Sequence, residues 1–507
     1  MGALALTMVQ ALARLVLGVS PPTELIGDRV APLLGIERFF SLLELFGGYD
    51  QLKAFGVGSA TLGQLGVGLF LGVGLAWLRR RAVVQSGSDE AGRRPLFILA
   101  TVVGGLWLVS VIALWPVLGT NYRGLAPGSA RLLTMVTMFI SSALFTLVVW
   151  LCQRLVAGPG ALPADEGGIG SSVSRRTLVV GGAGAGLALA TGGLGTALFR
   201  RSTFGYDGMQ YSGPGIQAIT PNDRFYVVTK NVIDPRVQAS QWQLRIAGLV
   251  ERSRSYTLDD LRSMPPIVQE TTLSCISNPV GGGLQSNAMW TGVSLADLMR
   301  EAGPKEGVVE VLVTAVDGYS DTFSLAKAME ATTLVAYEMN GETLPQRHGY
   351  PARILVPGLF GEKNVKWVTR IDLVDRNAKG FYEQQGWGPE FVVPTRSRFT
   401  EPDLAQPLRV GSTVALKGTA FAGDRGVARV EVSVDDGRTW NDAEFEYAGS
   451  PLAWVLWRYD WRPQRTGELP LLVRATDGTG TLQLAEARDV APQGATGLHR
   501  VTAQVRN

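Results

Sequence analysis

The chain has 507 residues, a formal net charge of +3 at pH 7 and a mean hydropathy of +0.14. This small net charge gives no support for a nucleic-acid-binding function. Its two cysteines and two histidines exclude a disulfide framework, zinc or iron–sulfur sites built from cysteines, and a chain of haems. At about 150 residues per domain, the length leaves room for about three domains.

The apolar residues are concentrated near the start and predict a multi-span α-helical membrane region over residues 1–157, with a further span after it. Each strong candidate is uncharged and close to the ~20 residues that a helix needs to cross a bilayer: 60–78, 96–119, 132–152 and 177–199. Residues 3–19 form a weaker fifth candidate because Arg14 interrupts them. The mixed stretch that follows, up to residue 59, is typical of interfacial helices.

Arginines between these runs predict the orientation of the chain. Arg79–Arg81, with Arg93 and Arg94, mark one short cytoplasmic loop, and Arg175 with Arg176 mark another. With five spans and the N-terminus inside, the residues after 199 lie on the extracytoplasmic side of the plasma membrane. The sequence therefore predicts a multi-pass protein whose large C-terminal part faces outward.

Residues 158–222 are interpreted as a cytoplasmic linker, the last transmembrane helix (177–199) and an outer linker. The segment "SRRTLVV" at 174–180 resembles a twin-arginine export signal, which would send a folded, cofactor-loaded domain across the membrane. Ordinary cytoplasmic arginines before a span explain it equally well. The glycine-rich run "VVGGAGAGLA" inside this helix lacks the second strand and acidic residue of a dinucleotide site, so that function is excluded.

Residues 223–378 alternate short strand-like runs with short helical ones and predict a mixed α+β domain. A proline- and glycine-rich connector is predicted over 379–400. From 401 to 507 only strand patterns occur, such as "VEVSV" at 430–434 before the Asp436-Gly437 turn. Turn signals about ten residues apart predict an immunoglobulin-like sandwich there.

The loop "TTLSCISNPVGGG", residues 271–283, contains Cys275, while the other cysteine, Cys152, lies in the predicted membrane region. Three roles are open for Cys275: a buried inert thiol, a nucleophile with His348 or His499 as its base, or a metal thiolate. The glycine triplet permits close approach of the backbone to a bulky group, which favours the metal.

Together with "LVAYEMNGETLPQRHGYPARILVPGLFGEKNVKWV", residues 334–368, this loop resembles the sulfite oxidase family of molybdopterin enzymes, over about 220–505. In that family one cysteine binds molybdenum, which a single pterin also holds. The resemblance implies that Cys275 is the metal ligand and catalytic residue, with a molybdopterin domain at 223–378 and a dimerisation-type domain at 401–507, hence a possible homodimer. The positions that it assigns to the cofactor are Lys230, Asn231, Val232, Asp317, His348, Arg353, Asn364, Val365 and Lys366.

Three positions depart from the family pattern. Lys230 and Val280 stand where sulfite oxidases have arginines, and Ala378 stands where they have a tyrosine. Those groups bind the sulfite dianion and assist electron and proton movement. A pocket without them loses bidentate contacts to a dianion, so the resemblance implies the cofactor without implying sulfite as the substrate.

The predicted function is a membrane-anchored, outward-facing molybdenum–molybdopterin oxidoreductase that transfers an oxygen atom to or from a small substrate. No haem, flavin or iron–sulfur motif is visible in the sequence, so electrons are expected to pass to a separate carrier, such as a cytochrome or a quinone-linked membrane protein. One alternative is a reductase of S- or N-oxides with the same cofactor. The other is a non-catalytic module that retains the cofactor on a membrane protein.

Overall fold

The computed structural model describes residues 1–86, 93–156 and 175–507, which fall into two compact units. The first unit contains Met1–Leu33, Phe40–Phe204 and Val232–Asp234, and the second contains Leu34–Phe39, Gly205–Asn231 and Pro235–Asn507. The predicted linker at 158–174, with the first residue of the twin-arginine-like segment, lies outside the described residues.

Seven helices precede residue 200 in the described chain. They are α1 (Gly2–Val16), α2 (Pro22–Val30), α3 (Ile36–Phe46), α4 (Tyr49–Ser86), α5 (Arg93–Leu114), α6 (Pro127–Val156) and α7 (Arg175–Phe199). Within α4 to α7, four stretches are long and apolar enough to cross a membrane: Tyr49–Gly74, Phe97–Val117, Pro127–Leu155 and Leu178–Phe199. These four stretches overlap the four strong candidates from the sequence.

The weak fifth candidate forms α1, whose 15 residues span about 22 Å and fall short of the ~30 Å hydrocarbon core of a bilayer. This helix packs against α4, α6 and α7. Arg14 is buried near its end, where Nε lies 2.9 Å from the Glu24 carboxylate and the guanidinium lies 3.7 Å from the centre of the Tyr122 ring. The charge that interrupts this apolar segment is therefore paired.

The first half of the second unit contains two sheets and four short helices. Its elements are β1 (Leu244–Gly248), β2 (Arg254–Tyr256), α8 (Leu258–Ser263), β3 (Ile267–Ser274), β4 (Gln285–Ser294), α9 (Leu295–Ala302), β5 (Glu310–Ala315), β6 (Ser320–Ser324), α10 (Leu325–Ala328), β7 (Leu334–Met339), β8 (Glu342–Thr343), β9 (Arg353–Leu355), β10 (Val368–Val374) and α11 (Phe381–Gln385). One sheet has the order β2-β1-β10-β5-β6. The other has the order β3-β4-β7-β8, with β9 also paired to β7.

Local signals explain where these elements begin and end. The Ser294 side chain accepts a hydrogen bond from the Asp297 amide and caps α9, which Gly303 ends at φ 71°. Thr257 and Asp260 form a capping box at the start of α8. Side chains of the first sheet and of α9, such as Ile246 and Leu298, pack into one buried core.

The second half of the unit contains strands alone, as the sequence predicts. They are β11 (Arg396–Glu401), β12 (Leu408–Arg409), β13 (Val414–Phe421), β14 (Val427–Ser433), β15 (Asn441–Asp442), β16 (Glu444–Ala448), β17 (Val455–Trp461), β18 (Gly467–Asp477) and β19 (His499–Arg506). Two sheets, β11-β13-β17-β16 and β12-β19-β18-β14-β15, share one buried core. The immunoglobulin-like assignment stays a prediction.

The segment predicted as a connector, 379–400, contains α11 and the start of β11. Strand β11 pairs along β13, with Phe399 opposite Gly418. Only glycine fits at position 418, because the Arg398 carbonyl oxygen and the Trp457 ring occupy the space that a Cβ would need. This close approach fixes the position of β11 and of the arginines on it.

Gly418→Ala is therefore expected to displace β11. Because the obstructing atom is backbone, the unfolding free energy should fall by about 1–3 kcal/mol or more, measured as an earlier thermal transition in tryptophan fluorescence. Gly205→Ala is the control, since a Cβ at Gly205 meets no atom within 4 Å. Equal transition temperatures for the two variants would contradict the expected overlap.

Candidate cofactor and active site

Cys275 is the first residue after β3, in the loop that leads to β4. Its amide donates to the Leu284 carbonyl over 3.0 Å, and its own carbonyl accepts from the Asn278 amide over 3.1 Å. The Asn278 side-chain oxygen accepts from the Leu284 amide over 3.0 Å. The loop is thus closed by its own hydrogen bonds, and the thiol is held at one place at the end of two paired strands.

The Cys275 thiol is buried, with Sγ 3.0 Å from the Ser277 hydroxyl oxygen. Burial, followed by the charge of Glu362, raises the pKa of the thiol to about 11. A free thiol here is protonated at neutral pH and is a poor nucleophile. A bound metal reverses this, because coordination replaces the proton on sulfur.

Neither histidine is hydrogen-bonded to this thiol. His348 Nε2 lies 2.8 Å from the Asn222 carbonyl oxygen. His499 Nδ1 accepts from the Phe399 amide over 3.0 Å. With both rings engaged elsewhere, the geometry does not support a cysteine–histidine nucleophile.

Tyr226 and Glu362 lie close enough to Cys275 for an electrostatic interaction between each of them and the thiol. Burial raises the pKa of Tyr226 well above its usual value, and Cys275 and Glu362 raise it further. Burial, followed by Asp321, raises the pKa of Glu362 to about 8. Both groups are therefore mainly uncharged at neutral pH, and the sequence patterns did not identify either of them.

A second group of predicted residues surrounds the buried guanidinium of Arg353 on β9. Nη1 donates to the His348 carbonyl over 3.1 Å and Nη2 donates to the Asn364 carbonyl over 3.0 Å. Lys366 Nζ points to the Val228 carbonyl oxygen, 3.2 Å away. Burial lowers the pKa of Arg353 to about 10. Both cations thus lie among carbonyl oxygens, and no carboxylate forms an ion pair with Arg353 in the described chain.

Several buried donors in this region have no acceptor in the described part of the protein: Arg353 Nε, Asn278 Nδ2 and Gln285 Nε2. Gly349, at φ 119°, lies against Lys366 and Arg353, so that an added Cβ would be 3.1 Å from the Arg353 side chain. Buried donors normally have partners. An anionic group with many acceptor atoms, such as a phosphorylated pterin, fits these unsatisfied groups.

The remaining predicted residues are only partly brought together. Asn231 Nδ2 donates to the Asp317 carboxylate over 2.8 Å, and that carboxylate also accepts from the Tyr319 amide. Lys230 is half-buried, with Nζ 5.7 Å from the centre of the Phe381 ring. Val232 belongs to the first unit, where its carbonyl accepts from the Thr203 amide over 2.9 Å.

Tyr319 connects Asp317 to the segment around Asn364, because its amide donates to the Asp317 carboxylate and its hydroxyl donates to the Glu362 carbonyl over 3.1 Å. Asn364 also organises its own segment: its side-chain oxygen accepts from the Val356 amide over 2.7 Å. Val365 is fully buried and its carbonyl accepts from the Ile354 amide over 2.9 Å. The structure therefore places the predicted residues of 348–366 in one hydrogen-bonded group.

Two arginines that the sequence analysis did not select reach the Cys275 loop from β11. Arg396 Nη1 donates to the Ser274 hydroxyl over 2.9 Å and Nη2 donates to the Asn278 carbonyl over 3.0 Å. Arg398 Nη1 donates to the Gly282 carbonyl over 2.7 Å. Arg396 and Ser274 are 122 positions apart, so no local pattern could have joined them.

Two parts of the chain match known domain families. Residues 231–382 match the oxidoreductase molybdopterin binding domain, and residues 390–505 match the Mo-co oxidoreductase dimerisation domain. The chain is 32% identical over 314 residues to the mitochondrial sulfite oxidase of Rattus norvegicus, covering 52% of this chain and 57% of that protein. It is also 32% identical over 314 residues to the sulfite oxidase of Gallus gallus, covering 52% of this chain and 68% of that protein.

Among solved structures, the chain is similar in fold to the sulfane dehydrogenase SoxCD from Paracoccus pantotrophus. The TM-score is 0.50 at 24% identity, and the match covers 58% of this chain and 85% of that one. The chain spans only 57% of the length of the rat protein. The two domain matches, 231–382 and 390–505, fall almost entirely within the second unit.

The buried ring of His348 predicts an acid sensitivity. Burial lowers its pKa to about 3 in the folded state, against about 6.5 in an unfolded chain. The stability that depends on the neutral ring is therefore complete above pH 6.5 and is lost as the pH falls from there toward 3. Between pH 7.5 and pH 5 the loss should be about 2 kcal/mol.

His348→Gln keeps a donor toward Asn222 but has no proton to gain, so its unfolding free energy should change less over this pH range. Denaturant unfolding of the two proteins at pH 7.5 and pH 5 measures the difference. His499, whose pKa burial lowers to about 4, is present in both and contributes equally. Identical pH dependences would contradict this role of His348.

Proposed function

Because the chain belongs to the sulfite oxidase family of molybdopterin-dependent oxidoreductases, we propose that it transfers an oxygen atom to a small substrate at Cys275. In this reaction the substrate gains one oxygen atom from water, and two protons and two electrons are released. The electrons leave singly for a separate carrier. The same site run in the opposite direction gives the second candidate, a reductase of S- or N-oxides.

The single observation that best supports this function is the group of buried cations and unsatisfied donors next to a buried, solitary thiol. We propose that Cys275 provides the thiolate ligand of molybdenum. Arg353, Lys366 and the 348–366 segment would hold the phosphorylated pterin, and Asn231 and Asp317 would provide further contacts to it. When bound, the molybdenum–pterin group supplies two-electron redox chemistry coupled to oxygen-atom transfer.

We propose that Lys230 also contacts the cofactor. Val232 is proposed to contact the cofactor only through its main chain. The molybdopterin domain is proposed to cover 223–378 and the C-terminal, immunoglobulin-like domain 401–507. The C-terminal domain is proposed to form a homodimer, which is supported by the match of 390–505 to a dimerisation domain.

Two side chains limit the class of substrate because they have no hydrogen-bonding group. Val280 is half-buried within the cysteine loop, and the Ala378 amide donates to the Glu310 carboxylate over 2.8 Å. Neither side chain can hydrogen-bond an anion, which is the observation that keeps the neutral S- and N-oxides as candidates. The substrate therefore has to be recognised by other residues of the pocket.

The four long apolar helices support membrane anchoring. With α1 too short to cross, four spans still leave residue 199 on the outer side if the arginines at 79–81 are cytoplasmic. We propose that the second unit faces outward and exchanges electrons with a separate cytochrome or quinone-linked membrane protein. Export of the folded domain through the twin-arginine-like segment is part of the same proposal.

Cys275→Ser tests the function, with Cys152→Ser as the matched control at the other cysteine. In a host that makes the cofactor, the wild type should contain about one molybdenum per chain. Cys275→Ser should lose one sulfur neighbour of the metal in X-ray absorption and at least ~100-fold in dye-coupled turnover. The control should retain both.

Turnover is measured with sulfite and an oxidising dye, and with dimethyl sulfoxide or trimethylamine N-oxide and a reducing dye. The first pair reports oxidation and the second reports reduction. Wild-type protein that contains no molybdenum, or Cys275→Ser that keeps full turnover, would contradict the proposed function.

The orientation is tested with reporter fusions. Alkaline phosphatase fused after residue 122 or 205 should be active, because both positions are expected outside the cytoplasm. The same enzyme fused after residue 88 or 165 should be inactive, and green fluorescent protein there should be bright. The reverse pattern would show that the second unit faces inward.

A further inference from the structure

We propose that Arg14, near the end of α1, positions the main chain next to the cofactor contacts Lys230 and Asn231, so that the first unit takes part in retaining the cofactor. Arg14 is a positioning residue, because it acts through the Ile233 carbonyl and not on the cofactor itself. The inference rests on the proposed function, since it concerns how the same cofactor is held. It assigns α1 a role other than crossing the membrane.

The chain passes from the second unit into the first directly after these cofactor contacts. Lys230 and Asn231 belong to the second unit, whereas Val232–Asp234 belong to the first. The Asn231 side chain is held in the second unit, where Nδ2 donates to the Asp317 carboxylate over 2.8 Å. Because adjacent Cα atoms lie about 3.8 Å apart across a planar peptide, a shift of residue 232 displaces the backbone of Asn231.

Two hydrogen bonds to main-chain carbonyls hold Val232–Asp234 within the first unit. The Val232 carbonyl accepts from the Thr203 amide over 2.9 Å, and the Ile233 carbonyl accepts from Arg14 Nη2 over 2.9 Å. Ile233 is 8% exposed, so this second bond is buried. It joins residues 219 positions apart and comes from a side chain, so that a substitution can remove it.

The Arg14 guanidinium is fixed independently of Ile233. The Arg14 side chain is 4% exposed, its Nε donates to the Glu24 carboxylate over 2.9 Å, and the guanidinium lies 3.7 Å from the centre of the Tyr122 ring. A guanidinium held in this way loses little further side-chain entropy when Nη2 donates to a carbonyl. Hydrogen bonds from a charged donor are also stronger than those between neutral groups. Arg14 is therefore suited to hold the main chain at residue 233 in one place.

The ion pair with Glu24 does not by itself account for an arginine at this position. A buried ion pair is often no more stabilising than apolar side chains of similar volume, and α1 carries no other charged residue. An apolar side chain at position 14 would leave the buried Ile233 carbonyl without this donor. Arg123 provides a contrast, because its Nη2 donates over 2.9 Å to the Leu15 carbonyl, within α1 itself.

The test uses the full-length, cofactor-loaded protein in detergent micelles, and follows the release of molybdenum by metal analysis after gel filtration at successive times. Arg14→Lys keeps a cation beside Glu24 but has one nitrogen in place of the fork that joins Glu24 to Ile233. It should release molybdenum about 10-fold faster than the wild type. Thr203→Pro, which removes the amide donor to the Val232 carbonyl, is a second variant that should act in the same direction.

A double-mutant cycle separates positioning from a general structural role. Asn231→Ala removes a cofactor contact that Arg14 is proposed to position. Adding Arg14→Lys to Asn231→Ala should therefore speed the release by only about 2-fold, because residues that act through one another are not additive.

Two control variants lie in the same unit. Arg29→Gln removes an exposed arginine whose Nε donates to the Ala113 carbonyl over 3.4 Å, and it should release molybdenum at the wild-type rate. Met138→Ala leaves a cavity in the buried cluster that contains Leu25, and it should lower the thermal transition without speeding the release.

Three results would overturn the proposal: release at the wild-type rate from Arg14→Lys, release from Met138→Ala as fast as from Arg14→Lys, or additive effects in the double-mutant cycle. Each of them leaves the proposed function intact, because each is measured on protein that contains molybdenum. Wild-type protein without molybdenum would contradict the proposed function itself.

Discussion

The burial of guanidinium charge around one loop is the constraint on which this site depends. Arg353, Arg396 and Arg398 all lie near the Cys275 loop or its neighbours, and carbonyl or hydroxyl oxygens take the place of carboxylates as their partners. Burial lowers the pKa of each of them to about 10. Such a group of cations is unfavourable by itself, so it indicates that an anionic ligand belongs to the folded protein.

The same arginines join the two halves of the second unit. Arg398 holds the Gly282 carbonyl from the C-terminal strands, and Glu270 on β3 accepts from the Tyr447 hydroxyl over 2.8 Å. The Glu270 carboxylate also accepts from the Asn287 side-chain amide over 2.6 Å, so that Glu270 links β3, β4 and β16. The C-terminal strands therefore contact the Cys275 loop and the strand β3 that leads into it. A change in their position, such as a displacement of β11, would therefore be transmitted to the Cys275 loop.

Much of the architecture followed from patterns that act over a few residues. The uncharged runs predicted the four long helices, and the "VEVSV" alternation with Asp436-Gly437 predicted the β14–β15 hairpin, where Val430 and Val432 are fully buried. The spacing of Cys275 from the 334–368 segment identified the family, the cofactor and the enzyme class, which the domain matches confirm. These signals are local, or are fixed distances along one chain, and can be found without coordinates.

The sequence by itself determined which residues have the chemistry for a metal and a phosphorylated cofactor, since thiol, guanidinium and turn-forming glycines are properties of single positions. Only the tertiary structure decided which charged side chains have a partner of opposite charge. It shows that Arg14 pairs with Glu24 and that Lys363 pairs with Asp321. Within the described part of the chain, Arg396 donates to a hydroxyl and to carbonyl oxygens and not to a carboxylate. The physical reason is that the energy of a buried charge depends on what lies within a few ångströms of it, and strand pairing brings such neighbours from more than a hundred residues away.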